Sequence, residues 1–308
     1  MNYSRSFVKH RNDSNPPNRS VEIIETENKK SRDYPEASLI IPTTDGYRDG
    51  HLPALFKQLK NQRYQNFEII VVQGDSRQGR AINIGADIAR GGYLLTLDDD
   101  TSLTDETSIE RLVNAAKKDA SIGMAGGINV IPGQASFFVK LVMSQLPRRT
   151  TPDVDEITQS DLAEHPLLLL RKDVFKKVGG ENELLPRGLD PYLRSEFRKA
   201  GYQVVVVPKA YYSHLPPANL RKLVKQFYRN GKMSAYCNKF FPQWLVETPN
   251  RHVDKFVEQR PFPYRVVRHL VNLAANCILG HWIYLTVYLA YGLGFGWGWI
   301  QYKNTDQV

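Results

Sequence analysis

Tyr93-Leu94-Leu95-Thr96-Leu97-Asp98-Asp99-Asp100-Thr101 is a short β-forming run that ends in three consecutive carboxylates. Adjacent like charges repel and are costly to hold beside an apolar strand, so a cation or cationic ligand is the natural occupant of such a strand end. A solvated acidic turn or a helix cap is the plain alternative. It is weakened by the next helix, whose apolar face carries Ile109, Leu112, Val113 and Ala116, and which has Thr104 or Asp105 available as its own N-cap.

Outward from this stretch, strand and helix signals alternate. Upstream, Ala37 to Ile41 is a β-rich run ended by Pro42, and Leu52, Leu55, Phe56 and Leu59 recur at helical spacing in a helix starting at Pro53. Phe67 to Val72 reads as a second buried strand, and Ala81, Ile84, Gly85 and Ile88 as a second helix. This order predicts an α/β fold with a Rossmann-like, mostly parallel sheet flanked by helices and joined by right-handed crossovers. Ligands then bind beyond the carboxyl ends of the strands, where the Asp trio lies. Downstream, Gly123 to Val130 reads as a strand, and the irregular tract from Gln134 to Glu164, with Arg148 and Arg149, as a lid or substrate-binding loop. Leu167 to Leu170, a short helix closed by Gly179-Gly180, a helix opened by Gly188-Leu189-Asp190-Pro191 and the strand Val204 to Val207 follow.

Composition adds bounds. With 308 residues, 42% of them hydrophobic, the chain has material for one large core or two small ones. A net charge of +9 favours an anionic partner: nucleic acid, acidic lipid or a phosphorylated substrate. Aromatic residues do not interleave with Lys and Arg on one face, which argues against nucleic acid. Cys237 and Cys277 are far apart and lack metal-type spacing, consistent with a reducing compartment.

Four pieces resemble the inverting family-two glycosyltransferases, which have the GT-A fold: Ser38-Leu39-Ile40-Ile41-Pro42-Thr43, Phe67-Glu68-Ile69-Ile70-Val71-Val72, Gly79-Arg80-Ala81-Ile82-Asn83-Ile84-Gly85-Ala86, and Ala89-Arg90-Gly91-Gly92 running into the opening stretch. Val178-Gly179-Gly180 and Gly188-Leu189-Asp190-Pro191-Tyr192-Leu193 follow in the family's order. The resemblance implies a D-x-D motif on Asp98 and Asp100. Asp100 would ligate Mg²⁺ or Mn²⁺, and Asp98 and Asp99 would contact ribose or the metal's shell. It also implies that Asp190 is the general base, although Leu189 stands where the family has a second acid and Asp190 would equally serve as an N-cap before Pro191. His214 falls at a metal- or diphosphate-contacting position, with a structural histidine as the alternative. Arg229, in Gln226-Phe227-Tyr228-Arg229, echoes a diphosphate-holding element, with a solvated helix face as the alternative. Gln73-Gly74 replace the family's base-reading aspartates, so base recognition is expected from Asp75, the backbone at Thr43, or Arg80.

The expected organisation is a flexible basic arm over 1–35, a GT-A catalytic domain over 36–250, and a membrane-associated or membrane-spanning segment over 251–308. From Leu270 to Ile300 there is no Asp, Glu, Lys or Arg, a length sufficient to span a bilayer. Gly292, Gly294, Gly296 and Gly298 give it two small-residue faces. Arg260, Arg265 and Arg268 precede it and Lys303 with Asp306 follow, which orients the catalytic domain to the cytoplasmic face. The alternative is a helix packed on the soluble domain. The expected activity is metal-dependent, inverting transfer of a sugar from a nucleotide-diphosphate-sugar to a hydroxyl of a lipid-linked or polysaccharide acceptor. A non-catalytic scaffold that binds glycan or nucleotide at a membrane is the alternative.

Overall fold

The computed structural model describes residues 20–25, 35–146, 150–246 and 261–305. In chain order the strands are β1 (Ser20–Glu25), β2 (Ala37–Thr43), β3 (Phe67–Gln73), β4 (Tyr93–Thr96), β5 (Ser102–Leu103), β6 (Ile122–Asn129), β7 (Thr158–Gln159), β8 (Leu168–Arg171) and β9 (Gln203–Ser213). The α-helices are α1 (His51–Lys60), α2 (Gln78–Ile88), α3 (Ser108–Lys118), α4 (Phe137–Gln145), α5 (Lys172–Val178), α6 (Leu189–Lys199), α7 (Leu220–Phe240), α8 (Phe262–Ile278) and α9 (Trp282–Gln301).

The strands form one sheet in the order β1-β3-β2-β4-β8-β6-β9-β5, with β7 also on β9. Parallel pairing joins β2 to β3, β2 to β4 and β6 to β9. The sheet is mixed, not mostly parallel. β8 enters antiparallel between β4 and β6, led in directly by the short 3₁₀ turn His165–Leu167. β1 pairs antiparallel with β3, so Ser20–Glu25 of the expected flexible arm is an edge strand. The rest of residues 1–34 lies outside the described residues, as do Arg148, Arg149, Arg260 and Asp306.

Side-chain alternation sorts the core. Leu39, Ile41, Ile69, Val71 and Leu95 meet Leu52, Leu55 and Leu59 of α1 and Ile109, Leu112 and Val113 of α3 on one face. Ile40, Ile70, Val72 and Leu94 meet Ala81 and Ile82 of α2, Val174 of α5 and Leu193 and Phe197 of α6 on the other. Several residues of the family-like pieces are structural. Glu68, buried in β3, accepts from Ser38 Oγ (2.7 Å), Arg90 N (2.7 Å) and Arg90 Nε (2.7 Å), while Gly91 N donates to Ser38 Oγ (2.9 Å). A Cβ on Gly91 would lie 2.6 Å from the Ala37 carbonyl carbon, so glycine is required there. Thr107, not Thr104 or Asp105, occupies the N-cap position of α3, and Asp105 instead accepts from Thr107 N (2.6 Å).

The C-terminal apolar tract is two helices. α9 lies backbone-to-backbone on α7: a Cβ on Gly231 would sit 2.0 Å from the Tyr291 carbonyl oxygen, and one on Gly294 2.1 Å from that of Tyr228. Gln145 of α4 accepts from Ile283 N (3.0 Å) at the start of α9, and Lys239 Nζ donates to the Trp299 and Tyr302 carbonyls at its end. Among the described residues no helix is long and apolar enough to cross a membrane. The expectation of a spanning segment is corrected accordingly: the small residues that suggested a membrane helix pair, Gly294 and Gly298, serve packing on α7 within the chain.

Candidate active site

Leu97 to Thr101 leaves the end of β4, and its carboxylates spread among three environments. Asp98 Oδ1 accepts from Gln78 Nε2 (2.8 Å) at the start of α2, and burial pushes its carboxyl up to about 6. Asp99 is buried and faces Arg48 Nε (3.3 Å) and the Thr43 hydroxyl; burial raises its pKa against both. Asp100 Oδ1 lies 3.1 Å from His214 Nε2, and its Oδ2 accepts from Arg48 Nη2 (2.7 Å). Burial alone would raise Asp100, but His214 and Arg48 outweigh it and hold this carboxyl well below the usual carboxylate range.

Ligand atoms from Asp98, Asp100 and His214 all lie within 4.8 Å of one another. Two carboxylate oxygens and an imidazole nitrogen at this separation suit a small divalent cation that accepts oxygen-rich ligand sets, so the donor set fits Mg²⁺ or Mn²⁺. His214 is positioned from both sides of the sheet end: it follows β9, and its N–H donates to Asn129 Oδ1 (3.0 Å) at the end of β6.

Asp190 arrives from α6. Gly188, with φ of +84°, is the residue that caps this helix, so the carboxylate lies in the first turn and is not the cap. Its Oδ1 accepts from the backbone N–H of His165 (2.8 Å). The His165 ring is buried, with Nε2 3.1 Å from Glu181 Oε1 and 3.9 Å from Asp190 Oδ1. Burial would lower this imidazole, yet the charges of Asp190 and Glu181 prevail and push it up to about 10. Thr96 Oγ donates to the His165 carbonyl (3.0 Å) and Thr101 Oγ to the Pro166 carbonyl (2.9 Å), so one turn ties both ends of the Asp stretch to Asp190. Glu181 is fixed by Asn83, whose Oδ1 accepts from Glu181 N (2.8 Å) and whose Nδ2 donates to the Glu181 carbonyl (3.0 Å).

Two of the expected base-reading residues pair with each other. Asp75 and Arg80 are both buried and form a bidentate pair (2.8 and 2.9 Å), with Arg77 N donating to Asp75 Oδ1 (2.9 Å). Arg229 is exposed on α7. The guanidinium at the carboxylates belongs to Arg48, which sequence reading did not single out. Asp45 accepts from the backbone of Tyr47 (2.9 Å) and Arg48 (2.8 Å), and Arg48 and Asp49 take positive φ of 50° and 55°, which aims the side chain back at the trio. Asn129, His165 and Glu181 were also not singled out. A histidine just before an apolar run and a glutamate just after Gly179-Gly180 were the available signals.

Residues 73–179 match the sequence profile described as Glycosyl transferase family 2. That stretch is similar to the family. The matched family 2 segment runs from the end of β3 to Gly179 and contains the Asp trio and His165; Asp190 and His214 lie beyond it. An "Uncharacterized glycosyltransferase" of Haemophilus influenzae is 24% identical over 178 residues, spanning 50% of this chain and 59% of that protein. A solved structure described as mannosyltransferase PcManGT from Pyrobaculum calidifontis in complex with GDP-Man and Mn²⁺ superposes with a TM-score of 0.52 at 12% identity, covering 86% of this chain and 88% of that one. At that identity the likeness is one of fold, and it agrees with a mixed sheet of GT-A type flanked by helices.

Proposed function

We propose that this protein is a metal-dependent inverting glycosyltransferase that moves a sugar from a nucleotide-diphosphate-sugar to an acceptor hydroxyl. The observation that carries the reading is the meeting of the Asp98–Asp100–His214 cluster and Asp190 beyond the ends of the strands, joined through the His165 turn. A divalent ion held by that cluster would supply charge neutralisation to a diphosphate. Arg48 adds a guanidinium suited to bidentate contact with phosphate oxygens. The nucleoside is read as lying toward Thr43 and Asp99, with the buried Asp75–Arg80 pair supporting the chain behind them.

In the transfer step the bond from the anomeric carbon to the diphosphate oxygen breaks and its electron pair leaves with the nucleoside diphosphate. The acceptor oxygen forms the new bond from the opposite face, and its proton passes to Asp190. The acceptor is a lipid-linked or polysaccharide hydroxyl. Residues 262–301 attach the enzyme to the cytoplasmic face of a membrane, a reading supported by α8, none of whose residues is buried and whose Val266, Val267, Leu270 and Val271 are exposed together.

The test is a pair of isosteric variants. Asp100→Asn and Asp190→Asn should each lower sugar transfer by at least about 100-fold, the lower end of what a positioned acid or base contributes. Metal-dependent nucleotide binding should be lost only in Asp100→Asn. Full turnover by Asp190→Asn would remove the base assignment.

A further inference from the structure

A cavity of ≈ 770 Å³ adjoins the carboxylate site and ends among the C-terminal helices. This is within the roughly 300–1,000 Å³ of small-molecule sites. Asp190 and Gln78 line it, and Gln78 also holds Asp98, so the cavity begins where the reacting hydroxyl must stand if Asp190 is the base. Its chemistry then divides. Three basic residues, Arg187, Arg265 and Arg268, line it with two acidic ones, Asp190 and Glu164. Beyond them the wall is aromatic: Tyr288 stacks on Tyr284 (4.1 Å between centroids) and Phe262 on Phe295 (6.1 Å). Lining residues Phe262 and Val266 are themselves 42% and 41% exposed, so the aromatic end continues onto the apolar face of α8.

A soluble polysaccharide would have no use for an apolar wall that runs on from the site to an exposed helix face. Here Asp190, three arginines and an aromatic wall that continues onto an exposed apolar helix line one partly open cavity. Resting on the transferase reading above, we infer that this cavity is the acceptor site and that the acceptor is an amphiphile: a long apolar chain joined through a phosphate to the sugar that presents the hydroxyl. Guanidiniums recognise phosphate by paired N–H donors, and the aromatic wall accommodates the first part of the chain. The remainder of the chain stays in the bilayer against which α8 lies.

The test is calorimetric titration of the full chain with decyl phosphate, decyl β-glucoside, inorganic phosphate and a soluble oligosaccharide. Decyl phosphate should bind at least tenfold more tightly than each of the others. The Arg265→Gln/Arg268→Gln variant should lose that tenfold preference while still binding decyl glucoside; its thermal unfolding midpoint reports whether it is folded. Tyr288→Ala, at the aromatic end, should weaken both alkyl ligands equally. Equal binding of the phosphate and the glucoside, binding of inorganic phosphate as tight as that of decyl phosphate, or tightest binding of the oligosaccharide would each overturn the inference. A nucleoside diphosphate titrated with Mn²⁺ into the same preparation separates the two readings. Donor binding without decyl phosphate binding overturns only the acceptor class, and decyl phosphate binding without any donor binding supports the cavity and overturns the transferase.

Discussion

His165 is a buried imidazole held between two carboxylates, and its charge state couples the site to stability. Its pKa is raised to about 10 in the folded chain from an ordinary value of 6.5. The folded state therefore binds the extra proton between these values, and stability from this group is complete below about pH 6.5 and is lost as pH rises through about 10. Replacing it with Gln should cost most stability at pH 6 and progressively less toward pH 10, as read by urea unfolding at each pH; a cost independent of pH would mean the imidazole is neutral when buried. At this scale the sequence was informative where chemistry is written in consecutive residues. Asp98, Asp100 and His214 do meet, because a strand end fixes the first two and the end of a long strand delivers the third. It was uninformative where side chains choose each other across the fold: nothing adjacent in sequence shows that Asp75 and Arg80 neutralise one another, or that the guanidinium at the trio comes from Arg48.

Among elements, the α7–α9 pair shows how a hydrophobic sequence acquires its meaning from a partner. Apolar composition alone does not distinguish a bilayer helix from one whose apolar face is covered by protein, and the deciding feature, the close approach of Gly231 and Gly294 to the opposite backbone, is tertiary. Gly294→Ala should destabilise the fold by about 1–3 kcal/mol, the usual cost of overpacking. Gly296→Ala, with nothing within 4 Å of its Cβ, should be neutral or stabilising by up to about 1 kcal/mol through helix propensity. Chemical denaturation of both checks this, and equal effects would mean that the glycines act through propensity alone. The strand-helix alternation around β2, β3 and β4 was readable for the opposite reason: its periodicity is local. β8 was readable as an apolar run but not in direction, since its antiparallel pairing with β4 and β6 is tertiary.

For the whole molecule, a +9 chain whose α8 carries an uncovered apolar stripe beside Arg265 and Arg268 is expected to sit on anionic membrane surfaces. Co-sedimentation with vesicles containing anionic lipid should exceed that with neutral vesicles by at least several-fold and fall with added salt; equal binding to both would leave only the apolar contribution. Such placement would bring an amphiphilic acceptor to the cavity laterally while the nucleotide donor arrives from solution at the opposite, carboxylate side. Everything in this arrangement depends on the Asp98–Asp100–His214 cluster receiving a metal-bound diphosphate. The most direct measurement is a calorimetric panel of nucleoside diphosphates titrated with and without Mn²⁺. At least one should bind with Mn²⁺ and lose at least tenfold in affinity when the metal is chelated, whereas binding of none, or binding indifferent to the metal, would contradict the account.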